Sequence, residues 1–303
     1  MKRMILFLAV LSASLFSAQA EPENAKNLYR QNYDFRDFTA LSVSHIFKVD
    51  LRFADAWSVE VEVPDYIEPY LDVNCREGKV RIGLHNLPKN IQRRLNDEDG
   101  RLSASVTMPK LLSLNMSGAT ALIAQGTPAL ADGESLRIVL SGASKLESLQ
   151  AASRGQLTLN MSGASKAEIE ADFRSFNIDM SGASKLQLTG NADGLEIDCS
   201  GASKANLSGG FDKAEVGVSG SSDVTVHKDI RLLELEVSGA SKFEAKGKTA
   251  MADVELSGAS KARLEVTGEM TYELSGVSTL RVRDMDAKIR GEAARGSKIE
   301  YLK

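Results

Sequence analysis

Two cysteines, one tryptophan and six prolines are spread over 303 residues, and aromatic side chains supply only 6% of them. Two cysteines cannot build a disulfide framework. A folded core must therefore come from apolar burial, for which the chain is long enough. Neither sign of charge dominates. The formal net charge is −4, which argues against a dedicated nucleic-acid binder, since such proteins depend on neutralising phosphates. After the first twenty residues no stretch approaches the about 18 consecutive apolar residues that mark a membrane-crossing helix. Motifs that carry chemistry are missing too: there is no nucleophile elbow, phosphate-binding loop, dinucleotide-binding glycine pattern or calcium-binding nonapeptide. The three histidines, His45, His85 and His227, show no metal-ligand spacing. No metal, cofactor or catalytic set is expected.

What is present begins with an address. Lys2 and Arg3 precede a short apolar core from Ile5 to Leu11, and Ala18-Gln19-Ala20 fits a small-x-small cleavage site before Glu21. No cysteine lies near the cut, so a lipid anchor is not expected there. Residues 1–20 read as a cleavable signal peptide, and the mature chain as a periplasmic, secreted or surface protein without a transmembrane segment.

The dominant feature is a repeat. Ser-Gly-Ala-Ser-Lys is complete at Ser141–Lys145, Ser162–Lys166, Ser181–Lys185, Ser200–Lys204, Ser238–Lys242 and Ser257–Lys261, with degenerate copies opening at Ser117, Ser219 and Ser275. From Ser162 to Ser257 every step is 19 residues. Counting back from the first serine, positions −5, −3 and −1 are apolar, as in Leu195/Ile197/Cys199 and Leu233/Leu235/Val237. A second alternation follows at +5 and +7, as in Leu186/Leu188 and Val224/Val226. Period-2 patterning means strands with one buried face. Two or three short strands in about 19 residues, without a helical segment, fit neither a propeller blade nor a leucine-rich repeat. They fit an all-β fold: a single-stranded right-handed parallel β-helix, a solenoid in which each strand pairs with its copy in the next rung.

Within the motif, glycine supplies backbone freedom at a tight corner, and the serines bond to neighbouring backbone at the bend. Alanine is expected to face inward where the coil narrows. Stacking would turn Ser141, Gly142, Ser162, Gly163, Ser181, Gly182, Ser200, Gly201, Ser238, Gly239, Ser257 and Gly258 into a structural turn ladder. The lysines Lys145, Lys166, Lys185, Lys204, Lys242 and Lys261 would form a second ladder, interrupted by Asp223, and this is the candidate binding surface. Like charges one rung apart repel unless paired, and the outward acids at −2 (Asp179, Asp198, Glu236, Glu255, Glu273) and −4 (Glu196, Glu215, Glu234, Asp253) are the expected partners. Those acids also give one wet face a negative stripe. Cys199 stands where other repeats carry Met, Leu or Val and reads as a buried thiol. Whether it pairs with Cys75 stays open.

Residues 21–40 read as an irregular lead-in and 41–303 as the β-helix. Leu41–Leu51 can be laid over Leu235–Ala245, so it reads as a diverged first repeat that begins or caps the stack. The diverged part, 41–111, contains an inserted charged surface loop at 86–101, and 112–303 holds the regular repeats.

The signal sequence, the Leu41–Leu51 opening and the chain of apolar-x-apolar-Ser-Gly-Ala-Ser-Lys units resemble the bacterial family named "putative auto-transporter adhesin, head GIN domain", over roughly residues 36–300. The resemblance implies a single-stranded right-handed β-helix and brings no catalytic residues. After the last repeat nothing reads as a membrane barrel, so it implies an exported, non-enzymatic binding module rather than a self-exporting one. Its partner is undefined by sequence, an envelope glycan or protein being the expectation. The alternative is a carbohydrate-active β-helix enzyme, of the polysaccharide lyase or hydrolase kind, which would need clustered acids in a groove near 57–109.

Overall fold

The computed structural model describes residues 27–97, 102–284 and 287–302; the signal sequence read at 1–20 lies outside them. The chain winds into a β-solenoid of about nine turns at the ~19-residue spacing. In each regular turn a first strand carries positions −5 to −1, the bend follows, and a second strand starts at the lysine position, as in Ala192–Cys199 and Lys204–Ser208. First strands stack in parallel: Ala192–Cys199 lies between Ser175–Met180 and Phe211–Val218. Second strands do the same, with Lys204–Ser208 between Lys185–Thr189 and Asp223–Val226. These two continuous ladders are called the first and second sheets below. Their inward residues, among them Leu195, Ile197, Cys199, Ala205 and Leu207, merge into one apolar core. Each buried Leu, Ile or Val side chain among them stabilises the fold by about 1.5–3 kcal/mol.

The bend is itself part of the ladder. Gly201 has φ +73°, and a Cβ placed on it would stand 2.6 Å from the Gly182 carbonyl oxygen in the rung before. That carbonyl accepts the Ala202 N–H at 2.7 Å; Ser200 N–H donates to Met180 O at 2.8 Å and Lys204 N–H to Ser184 O at 2.9 Å. Glycine is therefore required twice, for its left-handed backbone and for the absence of a β-carbon. The first serine adds a hydroxyl bond across rungs, Ser200 Oγ donating to Met180 O at 3.2 Å.

One expectation about the bend is reversed. The alanine faces solvent, and the second serine is the inward residue: Ser144, Ser165, Ser184, Ser203, Ser241, Ser260 and Ser278 are all 0–1% exposed. Ser203 Oγ donates to Ser200 O at 2.7 Å and lies 3.2 Å from Ser184 Oγ. The hydroxyls of Ser165, Ser241, Ser260 and Ser278 have no hydrogen-bond partner among the described residues.

The N-terminal end differs from the expected simple start. The stretch 21–40 includes a strand, Leu28–Tyr33, antiparallel to Ser58–Pro64, which is in turn antiparallel to Leu102–Met108. Leu41–Leu51 is not the terminal rung. Its strands, Ala40–Val43 and Phe47–Phe53, pair on one side with Lys79–Leu84 and Leu102–Met108 and on the other with Ser113–Met116 and Ala121–Gln125. The chain thus doubles back after its first rung and builds the outer rung from later residues. A hairpin, Leu71–Arg76 against Lys79–Leu84, closes the first sheet with an antiparallel strand. The expected loop at 86–101 contains a helix, Lys89–Asp97. It follows Pro88, whose fixed φ suits a helix start, and its Arg, Gln and Leu residues are good helix formers. Leu95 anchors it in the core, and the Arg94 guanidinium sits 3.9 Å from the Tyr66 ring centroid.

His45 occupies the turn position that later rungs give to glycine, with φ +72°. Its β-carbon is tolerated because the outer rung has no stacked bend there; that rung opens at Leu84 into the helical insertion. Instead Leu84 N–H donates to His45 Nδ1 at 3.3 Å.

Replacing Gly201 with Val should lower stability by about 1–3 kcal/mol through backbone strain, read as a fall in denaturation midpoint. Ala202→Gln, one residue along but exposed, should leave the midpoint unchanged; equal losses would refute this account of the bend.

Candidate functional site

Because the strands stack in register, every outward position becomes a column along the solenoid. The six candidate lysines do form one row on the second sheet: Lys145↔Lys166, Lys166↔Lys185 and Lys185↔Lys204, then Lys204↔Asp223↔Lys242 and Lys242↔Lys261. Lys48 and Lys298 fall in the same row, each one residue removed, beyond Ala121 and Thr279. The overlay of 41–51 on a regular repeat was the sequence signal for Lys48. Rungs repeat at about 4.8 Å, so adjacent ammonium groups need relief.

That relief does not come from the −2 and −4 acids. Those belong to the strand before the bend and lie on the first sheet, whereas the lysines open the second. The partners lie two residues along the lysine's own strand. Lys145 pairs with Glu147, and Lys166 Nζ is 2.5 Å from Glu168 Oε1. The hydrogen bond and charge of Glu147 raise the Lys145 pKa, and those of Lys166 lower that of Glu168. Asp223 interrupts the row and stands 3.7 Å from Lys204. Lys185, Lys242 and Lys261 have no ion-pair partner among the described residues. These exposed pairs contribute little to stability; their effect is to divide the row into neutralised and open cations.

The first sheet carries the opposite charge. Asp179, Asp198, Glu236, Glu255, Glu273 and Glu292 form one column, broken by Gly217. Glu196, Glu215, Glu234 and Asp253 form the column beside it. Lys213 is the cation inserted here, 2.5 Å from Glu215 and 3.3 Å from Glu234. Burial raises the Asp198 pKa first, and the charges of Asp179, Glu196 and Glu236 add to it. Two adjoining clefts of ≈ 330 and ≈ 310 Å³ run between this acid column and the first serines, sharing Asp198 and Ser200. Among the described residues no group of three or more His, Cys, Asp or Glu converges as for a metal ion, and no helix is long and apolar enough to cross a membrane.

The turn-ladder residues Ser141, Gly142, Ser162, Gly163, Ser181, Gly182, Ser200, Gly201, Ser238, Gly239, Ser257 and Gly258 stack from bend to bend, and Ser162, Ser181, Ser200, Ser238 and Ser257 line the clefts beside the acid column. The second serines, which sequence reasoning passed over, are the buried polar members of the bend. Cys75 and Cys199 are both free thiols. Burial pushes the Cys199 pKa up to about 12, so the thiol stays protonated and unreactive.

Asp198 supplies a test with a defined sign. Its pKa is higher folded than unfolded, so its charge opposes folding above the folded pKa and ceases to do so below the unfolded one. Asp198→Asn should therefore raise the melting temperature at pH 7, and the gain should fade as pH drops through the carboxylate range. A gain independent of pH would show that the column's charge is not the cause.

Crystal structures similar to this chain include a "putative adhesin" from Parabacteroides merdae, 13% identical, covering 92% of this chain and 98% of that one, with a TM-score of 0.51. Another "putative adhesin", from Parabacteroides distasonis, is 14% identical over the same shares of the two chains, with a TM-score of 0.44. At these identities the first likeness speaks to fold alone. No curated protein matches the chain. The family model described as "Putative auto-transporter adhesin, head GIN domain" matches residues 37–210 and 196–303, and the chain belongs to that family.

Proposed function

We propose that the protein is an exported, non-enzymatic, adhesin-like binding module, and that it engages an acidic glycan of the cell envelope or surface through the lysine row. The observation that carries this reading is the in-register row itself, with Lys185, Lys242 and Lys261 left without carboxylate partners. A periodic array of cations about one rung apart suits a polymer with repeated anions, because many weak contacts along a strand add as avidity. Membership of a family named for adhesins supports the binding role. The carboxylates are stacked as columns rather than placed as a unique acid–base pair, which favours binding over turnover.

In a glycan-array screen, each single Lys→Ala change should reduce binding less than about threefold, as expected for exposed charges. The combined Lys166, Lys185, Lys242 and Lys261→Ala variant should lose most of it, and wild-type binding should fall as salt rises. A single substitution that abolishes binding, or a combined variant that binds normally, would overturn the distributed-surface reading. Release of new sugar ends from a bound glycan would overturn the non-enzymatic part. Export predicts a mature protein beginning at Glu21 in the extracytoplasmic fraction, checked by intact mass.

A further inference from the structure

The two ends of the solenoid are finished differently. At the N-terminal end antiparallel strands cover the outer rung, and the helix Lys89–Asp97 adds Leu95 to the core. At the other end the last described rung, Lys288–Ala293 and Lys298–Leu302, is paired on one side only among the described residues. Its inward positions are open where their partners one rung back are sealed. Ile289 and Ala293 pair with Met270 and Leu274, both 1% exposed, and Ile299 pairs with Leu280 at 0%. Ile289 and Ile299 are only half-buried, and Ala293 is exposed.

We propose that this rung is closed by a second copy of the chain, tail to tail. A two-fold axis normal to the first sheet keeps inner faces together and makes the two edge strands antiparallel. Inward residues must meet inward residues, so the register has to preserve parity. Centring it on Gly291 places Ile289 against Ala293 inside. Outside, it places Arg290 of each copy against Glu292 of the other, so opposite charges meet twice. In one copy alone neither has an ion-pair partner among the described residues, and Glu292 lies beside Glu273 at the end of the acid column. On the second sheet, a pairing centred on Ile299 sets Lys298 of each copy against Glu300 of the other, adding an opposite charge to a pair that each copy already makes within its own strand. The partner strand would satisfy an exposed edge that otherwise invites uncontrolled pairing. Such a dimer would also join two solenoids end to end and present two sets of charged columns.

Sedimentation of the full mature chain, with Arg290→Glu, Glu292→Arg and the double exchange, tests this. The wild type should dimerise. Each single change turns both cross-strand pairs into like-charge contacts and should weaken association about tenfold. The double exchange restores opposite charges and should restore the dimer, while melting of dilute samples confirms that each variant folds. A wild type that stays monomeric up to roughly 100 µM would overturn the proposal. So would single exchanges that leave association unchanged, which would place the contact elsewhere, or a double exchange that fails to rescue.

Discussion

Everything in this molecule follows from the close stacking of one bend on the next. Gly201 sits so near the Gly182 carbonyl that a single β-carbon would collide with it, and the next residue's N–H bonds to that same carbonyl. A bend so tied to its neighbour cannot shift by a residue without breaking the bonds above and below. Register is thereby set at the corner and transmitted to both strands. The apolar alternation then has only to fill the interior that the bends define.

In-register parallel stacking has an electrostatic consequence. Each outward residue lies beside its own counterpart, so a repeat that carries lysine generates a row of lysines, and one that carries aspartate or glutamate generates a row of acids. Where the motif repeats strictly, charge cannot alternate along the column, as it can between antiparallel strands. It is balanced sideways, within a strand, as in Lys166–Glu168 and Lys213–Glu215, or by an interruption such as Asp223 or Gly217; where the repeat varies, opposite charges meet from rung to rung, as in Glu244–Arg263 and Arg281–Glu300. The opposed faces are the unavoidable product of repetition, and the cations that escape balancing become available to a partner.

The sequence made the repeating part of this architecture plain because its signal is periodic: spacing, apolar parity and bend residues all agree. The inward serine was equally legible but was passed over. Positions −5, −3 and −1 point inward, as do +5 and +7, so carrying the same parity through the bend gives +3, the second serine, and not the alanine at +2. Charge pairing was misread for a related reason. Residues at −2 and +4 are close in sequence, yet the bend sends them to different sheets, and the partner at +6 shares a strand with the lysine. The helix at Lys89–Asp97 was hidden by its charge, since among its described side chains only Leu95 is fully buried and an apolar stripe is what reveals a surface helix.

The order of rungs at the N-terminal end could not be read from periodicity at all. Leu41–Leu51 resembles a regular repeat because it is one in its contacts: it has a rung on each side. What terminates the stack must not resemble a repeat, since another parallel edge would simply extend the problem. The chain resolves this by returning through Ser58–Pro64 and Leu71–Arg76, which run antiparallel to the strands they cover. An antiparallel strand ends the parallel ladder while still satisfying its hydrogen bonds. The His45 bend is the local mark of that arrangement, for a side chain fits at the glycine position only where the neighbouring rung has no bend to meet it. Divergence from the repeat therefore marks the places where stacking stops, and the residues that look least like the motif are those that let the motif end.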